Sequence, residues 1–273
     1  MLQLEAAERD QRRFDHVASS PIFEPGALER LEAAGAAARL GEPGAAGGLW
    51  IRDGLVIEPG LVLEAWTAGR RRIAASARRL EPGPNGWQVF GDGGELLAEA
   101  EIMCLAGGFG SRALWPGLEL QPVRGQASFT DLDERPQAAA WGGYVIPTRQ
   151  GLLFGATHDR GREDLEVLGD DHLRNLQTLA RARPALSASL NAATLQGRAA
   201  LRASTPDRNP VAGELAPGLW TLTGLGGRGF TLAPLLAEHV AARALGAPSP
   251  LPRDLGEAVG ERPIVKHRSH TPG

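Results

Sequence analysis

The segment Gly224-Leu225-Gly226-Gly227-Arg228-Gly229 constrains this chain more than any other. Leu219-Trp220-Thr221-Leu222 before it is strand-like, and Thr231 to Leu245 after it reads as a long apolar helix. The spacing G-x-G-x-x-G between a strand and a helix describes a side-chain-poor turn at which a ligand can reach the helix N-terminus. Unpaired N–H groups and the helix dipole favour negative charge there. A tight turn with no ligand is the competing reading of the motif taken alone. In a first βαβ unit, a second strand ending in an acidic residue follows about 20 residues later. Here that stretch holds Pro248, Pro250 and Pro252, with Asp254 and Glu257 beyond it. The turn is therefore expected to close a site built by earlier residues rather than to be a pyrophosphate loop.

Glycine is abundant throughout, 36 of 273 residues, about twice the usual share. The length suits one large domain or two intertwined ones. A net charge of −3 argues against a wholly basic nucleic-acid-binding chain. The arginine runs at 70–72 and 78–79 are read as a solvated face before they are read as phosphate contacts. The single cysteine, Cys104, excludes an internal disulfide. The six histidines show no metal spacing, so no metal is expected. No apolar run reaches 18 residues, so no membrane span is expected. Residues 1–13 are charged and lack the apolar middle of a signal peptide, which makes the cytoplasm the default location. No G-x-S-x-G elbow is present to support hydrolase chemistry.

Residues 1–40 read as two helices, Leu2 to Val17 and Ala27 to Leu40, from their Ala, Leu, Glu and Arg content. Arg52-Asp53-Gly54 between Leu49-Trp50-Ile51 and Leu55-Val56-Ile57 reads as a hairpin, and so does Gly91 to Gly94 between 87–90 and 95–98. Pro59 starts a helix over 60–68, and 72–80 reads as a strand. The run 100–106 stops at Gly107-Gly108 as a buried parallel strand does. Residues 122–160 read as antiparallel sheet with a turn at Asp131-Leu132-Asp133, and 170–183 as a helix ended by Pro184. Beyond Gly246 the proline-rich chain is expected to wrap the surface.

Six ordered motifs over residues 47–234 carry a resemblance. They are Gly54-x-x-Ile57-x-Pro59; Ala106-Gly107-Gly108; Pro122 to Gln126; Tyr144 to Pro147 followed by Gly155-Ala156-Thr157; Arg202-x-x-Thr205-Pro206-Asp207-x-x-Pro210-x-x-Gly213; and Gly224 to Pro234. Together they resemble the D-amino-acid-oxidase-like FAD oxidoreductases, which include glycine and sarcosine oxidases. With Pro250-Leu251-Pro252 and Arg262-Pro263 they are most similar to one subgroup. It is the FAD-dependent C-terminal half of the bifunctional enzymes that make 5-methylaminomethyl-2-thiouridine in tRNA. Family members open with a strand, a glycine turn and a helix holding the ADP half of FAD. Nothing in residues 1–46 has that pattern. The expected fold is thus a mixed α/β FAD-binding type lacking its first βαβ unit, roughly sixty residues. It is interleaved with an antiparallel-sheet substrate region. Residues 46–123 and 196–262 would form the cofactor region, residues 1–45 and 124–195 the substrate region, and residues 263–273 a tail.

The resemblance implies FAD as cofactor and an amine as substrate, oxidised by hydride transfer from its α-carbon with hydrolysis of the resulting imine. The substrate is a carboxymethylamino group on the tRNA wobble uridine, or alternatively free glycine, sarcosine or a D-amino acid. A truncated remnant without catalysis is the third alternative. A methyltransferase domain encoded upstream is the implied protein partner. The cofactor residues so implied are Ala106, Gly107, Gly108, Gly224, Gly226, Gly227, Arg228, Gly229, Phe230 and Thr231. Arg202, Arg228 and Tyr144 are the implied substrate residues, arginine because its planar fork grips two carboxylate oxygens. An ordinary ion pair competes for Arg202. Arg124 lines the site or pairs across the sheet, and both readings stand equally.

Overall fold

The computed structural model describes residues 1–132 and 135–260. The chain runs through β1 (Leu2–Leu4), α1 (Glu8–Ala18), β2 (Leu28–Leu31), α2 (Ala33–Leu40), β3 (Gly48–Ile51) and α3 (Pro59–Thr67). The strands β4 (Arg79–Gly83), β5 (Gly86–Phe90), β6 (Leu96–Ala100) and β7 (Met103–Leu105) follow, then α4 (Ser111–Leu114). Next come β8 (Gln121–Thr130), β9 (Ala139–Ala140), β10 (Tyr144–Thr148), β11 (Gly151–Gly155), β12 (Asp159–Arg160), α5 (Gly169–Ala182) and α6 (Pro184–Ala188). The chain closes with β13 (Gln196–Ser204), β14 (Val211–Ala216), β15 (Leu219–Thr223), α7 (Gly229–Ala244) and α8 (Arg253–Val259). It divides into two compact units. One holds 1–70, 125–158 and 165–200, the other 71–124, 159–164 and the remainder from 201.

In the first unit the sheet runs β8-β11-β10-β9-β1-β3-β2. Its core is apolar: Leu2, Leu4, Val145, Leu152 and Phe154 from the strands meet Leu179 of α5. Burial of such side chains is the main stabilising term, about 1.5–3 kcal/mol each. A buried ion pair joins distant segments: Arg183 Nε donates to Glu42 Oε2 at 3.1 Å, and Arg183 also donates to the Leu40 carbonyl. The same Glu42 carboxylate accepts the Ala185 N–H at 2.7 Å.

In the second unit β14-β15-β7 form a three-stranded sheet and β4-β5-β6 a meander. Leu105, Trp115, Leu118, Leu215 and Leu219 fill one core. On the other side, Ala212 and Trp220 pack against Leu236 and Val240 of α7. Alternation along β15 explains both, since successive side chains of a strand face opposite ways.

Several local expectations are corrected. Residues 2–4 and 28–31 are strands, not parts of helices, because they flank β3 from both sides: Gln3 pairs with Leu49, and Arg30 with Leu49. Arg30 reinforces β2 by donating to the carbonyls of Leu31 and Gly48 and pairing with Glu5 and Asp15. Tertiary pairing here overrides a helical composition. For the same reason 55–57 form no hairpin strand: β3 has both edges taken, and Leu55, Val56 and Ile57 stand exposed. Strand β4 begins only at Arg79, and Pro184 starts α6 as well as ending α5. The stretch after Gly246 contains α8. Because β3 pairs with β1 and β2, residues 46–70 group with 1–45 in the first unit. Asp133 of the expected turn, Arg262-Pro263 and the tail 263–273 lie outside the described residues.

Candidate functional site: two glycine loops at the ends of parallel strands

Strand β7 runs parallel to β15, with Met103 opposite Leu219, Cys104 opposite Trp220 and Leu105 opposite Thr221. Parallel neighbours end on the same side. Ala106-Gly107-Gly108 and Gly224 to Gly229 therefore leave the sheet side by side, at the carboxyl ends where α/β sheets bind ligands. Two threonines of β15 fasten the loops together: Thr221 Oγ1 donates to the Leu105 carbonyl at 2.9 Å and Thr223 Oγ1 to the Gly108 carbonyl at 3.0 Å.

The glycines are of two kinds. Gly224 (φ +74°) is bare because of its neighbours: a Cβ there would lie 2.8 Å from Thr205 Cγ2. Gly108 (φ +57°), Gly226 (φ +55°), Gly227 and Gly229 would place a Cβ in open space. Their bareness leaves backbone exposed to whatever approaches, the use to which glycine is suited. The loop is braced from β13 and the turn after it. Gly226 N–H donates to the Ala203 carbonyl at 2.8 Å, and Thr205 Oγ1 donates to the Asn209 carbonyl at 2.6 Å.

Helix α7 starts at Gly229 with Arg228 as N-cap residue. No side chain caps it and its first turn holds no acidic residue, so the positive end of its dipole is uncompensated. Arg228 is exposed, and one of its terminal N–H groups donates to the Arg208 carbonyl at 2.7 Å. Phe230 and Thr231 are exposed or half-buried on the first turn. Beside Gly107, the buried Ser111 hydroxyl has no hydrogen-bond partner among the described residues. Bare backbone, a tethered arginine, an uncapped helix and an orphaned hydroxyl at the ends of two parallel strands fit an anionic, ring-bearing cofactor.

Arg202 sits half-buried on β13 in this second unit. Tyr144 starts β10 in the first unit, paired with Gly155. The structure thus groups Ala106 to Gly108 with Gly224 to Thr231, and Arg202 belongs to the same unit. Arg124 pairs across the sheet: it is fully buried, its Nε lies 3.0 Å from Asp164 Oδ1, and it stands opposite Asp159 in the β8–β12 ladder.

Sequence reasoning missed a buried polar network in the first unit. Ser128 Oγ lies 2.8 Å from His172 Nδ1, and Asn175 Nδ2 donates to Ser128 Oγ at 2.9 Å and to the Gln126 carbonyl. Gln126 in turn exchanges side-chain bonds with the backbone of Leu168. Burial holds the His172 pKa below the ordinary imidazole value, with Asp171 opposing. Only Gln126 carried any signal, through the Arg-Gly-Gln motif.

A family model described as FAD dependent oxidoreductase matches residues 1–243. The chain belongs to this family of α/β flavoproteins, whose cofactor is FAD. Among curated relatives, it is 50% identical over 262 residues to the tRNA 5-methylaminomethyl-2-thiouridine biosynthesis bifunctional protein MnmC of Caulobacter sp. (strain K31), covering 94% of this chain and 43% of the relative. It is 51% identical to the MnmC of Caulobacter vibrioides, covering 98% and 45%. The chain therefore spans less than half the length of these relatives. The glycine oxidase of Geobacillus kaustophilus shares the fold with a TM-score of 0.78 at 23% identity, over 92% of this chain and 72% of that one. No helix among the described residues is long and apolar enough to cross a membrane.

Proposed function

We propose that this chain is an FAD-dependent amine-oxidising domain that removes the carboxymethyl group from 5-carboxymethylaminomethyl-(2-thio)uridine at the tRNA wobble position, in the cytoplasm. The observation that carries the reading is half-identity to two MnmC proteins over nearly the whole chain. The joined glycine loops support the flavin component of it. FAD, when bound, accepts the hydride from the substrate α-carbon. Water then releases glyoxylate and leaves the free aminomethyl base, so that one two-electron oxidation and one hydrolysis balance the reaction.

The residues of this chain bind and orient. Gly107, Gly108, Gly224, Gly226, Gly227 and Gly229, with Ala106, would let the flavin approach the backbone. The start of α7, from Arg228 through Phe230 and Thr231, would face the ring edge on which reduction leaves negative charge. Arg202 would grip the substrate carboxylate, with Arg228 and Tyr144 as further anchors. The second compact unit would carry the cofactor. A methyltransferase domain acting on the product would be the functional partner.

The test is anaerobic reduction of the FAD-loaded chain. Tracked by loss of flavin absorbance, it should proceed with tRNA bearing the carboxymethylaminomethyl group and yield glyoxylate. Reduction by glycine, sarcosine or a D-amino acid but not by tRNA would replace the substrate. A flavin that no amine reduces would leave the chain without this activity.

A further inference from the structure

A cavity of about 500 Å³ lies in the second unit, on the side of α7 away from its glycine start. Strands β14 and β15, helix α7, the turn at 249–252 and helix α8 line it, and it opens to the surface. The strongest polar group on its wall is His239, whose relative exposure is 5%. Its ring is anchored through Nδ1. Ser249 Oγ accepts the Leu251 N–H at 3.0 Å and lies 2.6 Å from His239 Nδ1. His239 Nε2, the other ring nitrogen, has no hydrogen-bond partner among the described residues.

Arg243 follows His239 by four residues on α7 and so shares its face. It also lines the cavity, and its guanidinium has no partner among the described residues. The two carboxylates on the wall are already occupied: Glu257 takes Arg253 Nε at 2.8 Å, and Glu214 takes the Gly218 N–H at 3.0 Å. Trp220, Leu251 and Pro252 supply an apolar wall. The volume exceeds that of a bare oxyanion and falls in the range of small-molecule sites.

We propose that this cavity binds a phosphoryl group, with His239 Nε2–H and Arg243 donating to its oxygens and the Trp220 wall receiving the organic moiety attached to it. The site is separate from the glycine loops and does not depend on flavin or on the tRNA reading. Its phosphoryl group could come from a free phosphomonoester or from an RNA backbone.

The experiment is NMR titration of the imidazoles of the full chain, with inorganic phosphate, phenyl phosphate and an RNA decamer as separate probes. His172, the other buried histidine, serves as the internal control. Binding should move the His239 titration midpoint to higher pH and leave that of His172 in place. Phenyl phosphate should bind more tightly than inorganic phosphate because of the apolar wall. Response to the phosphomonoester, or to the RNA alone, supports the site and identifies the source. Arg243→Ala, at a position without partners among the described residues, should keep the fold and weaken binding about ten- to a hundredfold, as expected for losing a charged donor. His239→Asn, which retains an acceptor for Ser249 and loses the distal donor, should weaken it as well. An unmoved His239 with all three probes, or affinity unchanged in Arg243→Ala, would overturn the proposal.

Discussion

The two kinds of glycine in the 224–229 loop can be told apart by substitution. Gly226→Ala puts a β-carbon into open space at φ +55°. The left-handed conformation costs an L-residue about 1–2 kcal/mol, and the stiffer unfolded chain returns about 0.4–1 kcal/mol. The net loss should be about 0.5–1.5 kcal/mol. Gly224→Ala carries the same backbone cost at φ +74°, and its Cβ would meet Thr205 Cγ2 at 2.8 Å. Overpacking of this kind adds about 1–3 kcal/mol, for a total of about 2–4 kcal/mol. Thr205 cannot swing aside freely, because its hydroxyl is bonded to the Asn209 carbonyl at 2.6 Å. Thr205→Ser removes the obstructing methyl and keeps the hydroxyl. Urea unfolding of the four proteins in the Gly224→Ala/Thr205→Ser cycle should therefore show a favourable coupling of at least about 1 kcal/mol. The parallel cycle with Gly226→Ala should show coupling near zero. Equal coupling in both cycles, or none with Gly224, would refute the packing argument.

Other consequences follow from the buried polar groups. Removing one partner of the Arg183–Glu42 pair, by Arg183→Met or Glu42→Gln, should cost about 3–5 kcal/mol in denaturant unfolding, since both side chains are almost fully buried. Ser128→Ala strips His172 and Asn175 of a shared partner and should cost about 1–3 kcal/mol. His172 and His239 both have pKa values lowered by burial, with Arg243 adding to the effect at His239. The unfolded chain then binds more protons than the folded one, so their contribution is complete above the ordinary imidazole value of 6.5 and is lost progressively as pH falls below it. Unfolding midpoints measured from about pH 8 down to about pH 5 should decline through that window, and His172→Gln should flatten the decline. Arg228→Ala, exposed and holding only the Arg208 carbonyl among the bonds described, should cost less than about 1.5 kcal/mol of stability.

The glycine cradle was legible because its signal is local. A strand, a spaced-glycine turn and a helix are contiguous at 219–245, and an apolar run stopping at Gly107-Gly108 is its own marker. That the run before Gly107-Gly108 is a parallel strand was legible from where it stops, and its ladder bears this out, but its partner β15 lies over a hundred residues away and had no local signal. The opening was misread because Leu2–Leu4 and Leu28–Leu31 are too short for alternation to outweigh strong helix formers around them. Their strand state comes from β3, a distant partner whose two occupied edges also explain why 55–57 form no hairpin. The Ser128–His172–Asn175 network joins residues 44 and 47 positions apart, and no spacing rule points to it. Arg124 looked like a candidate site residue and like a structural one. Its burial between Asp159 and Asp164 decides for the structural reading.

We propose that the loops after β7 and β15 hold a flavin. Titration of the purified chain with FAD, read by flavin absorbance and fluorescence, tests it most directly. Binding should be saturable with a perturbed visible band, and weakened in Gly226→Val although unfolding shows that variant still folded. An unperturbed flavin spectrum, or equal binding by the valine variant, would contradict it.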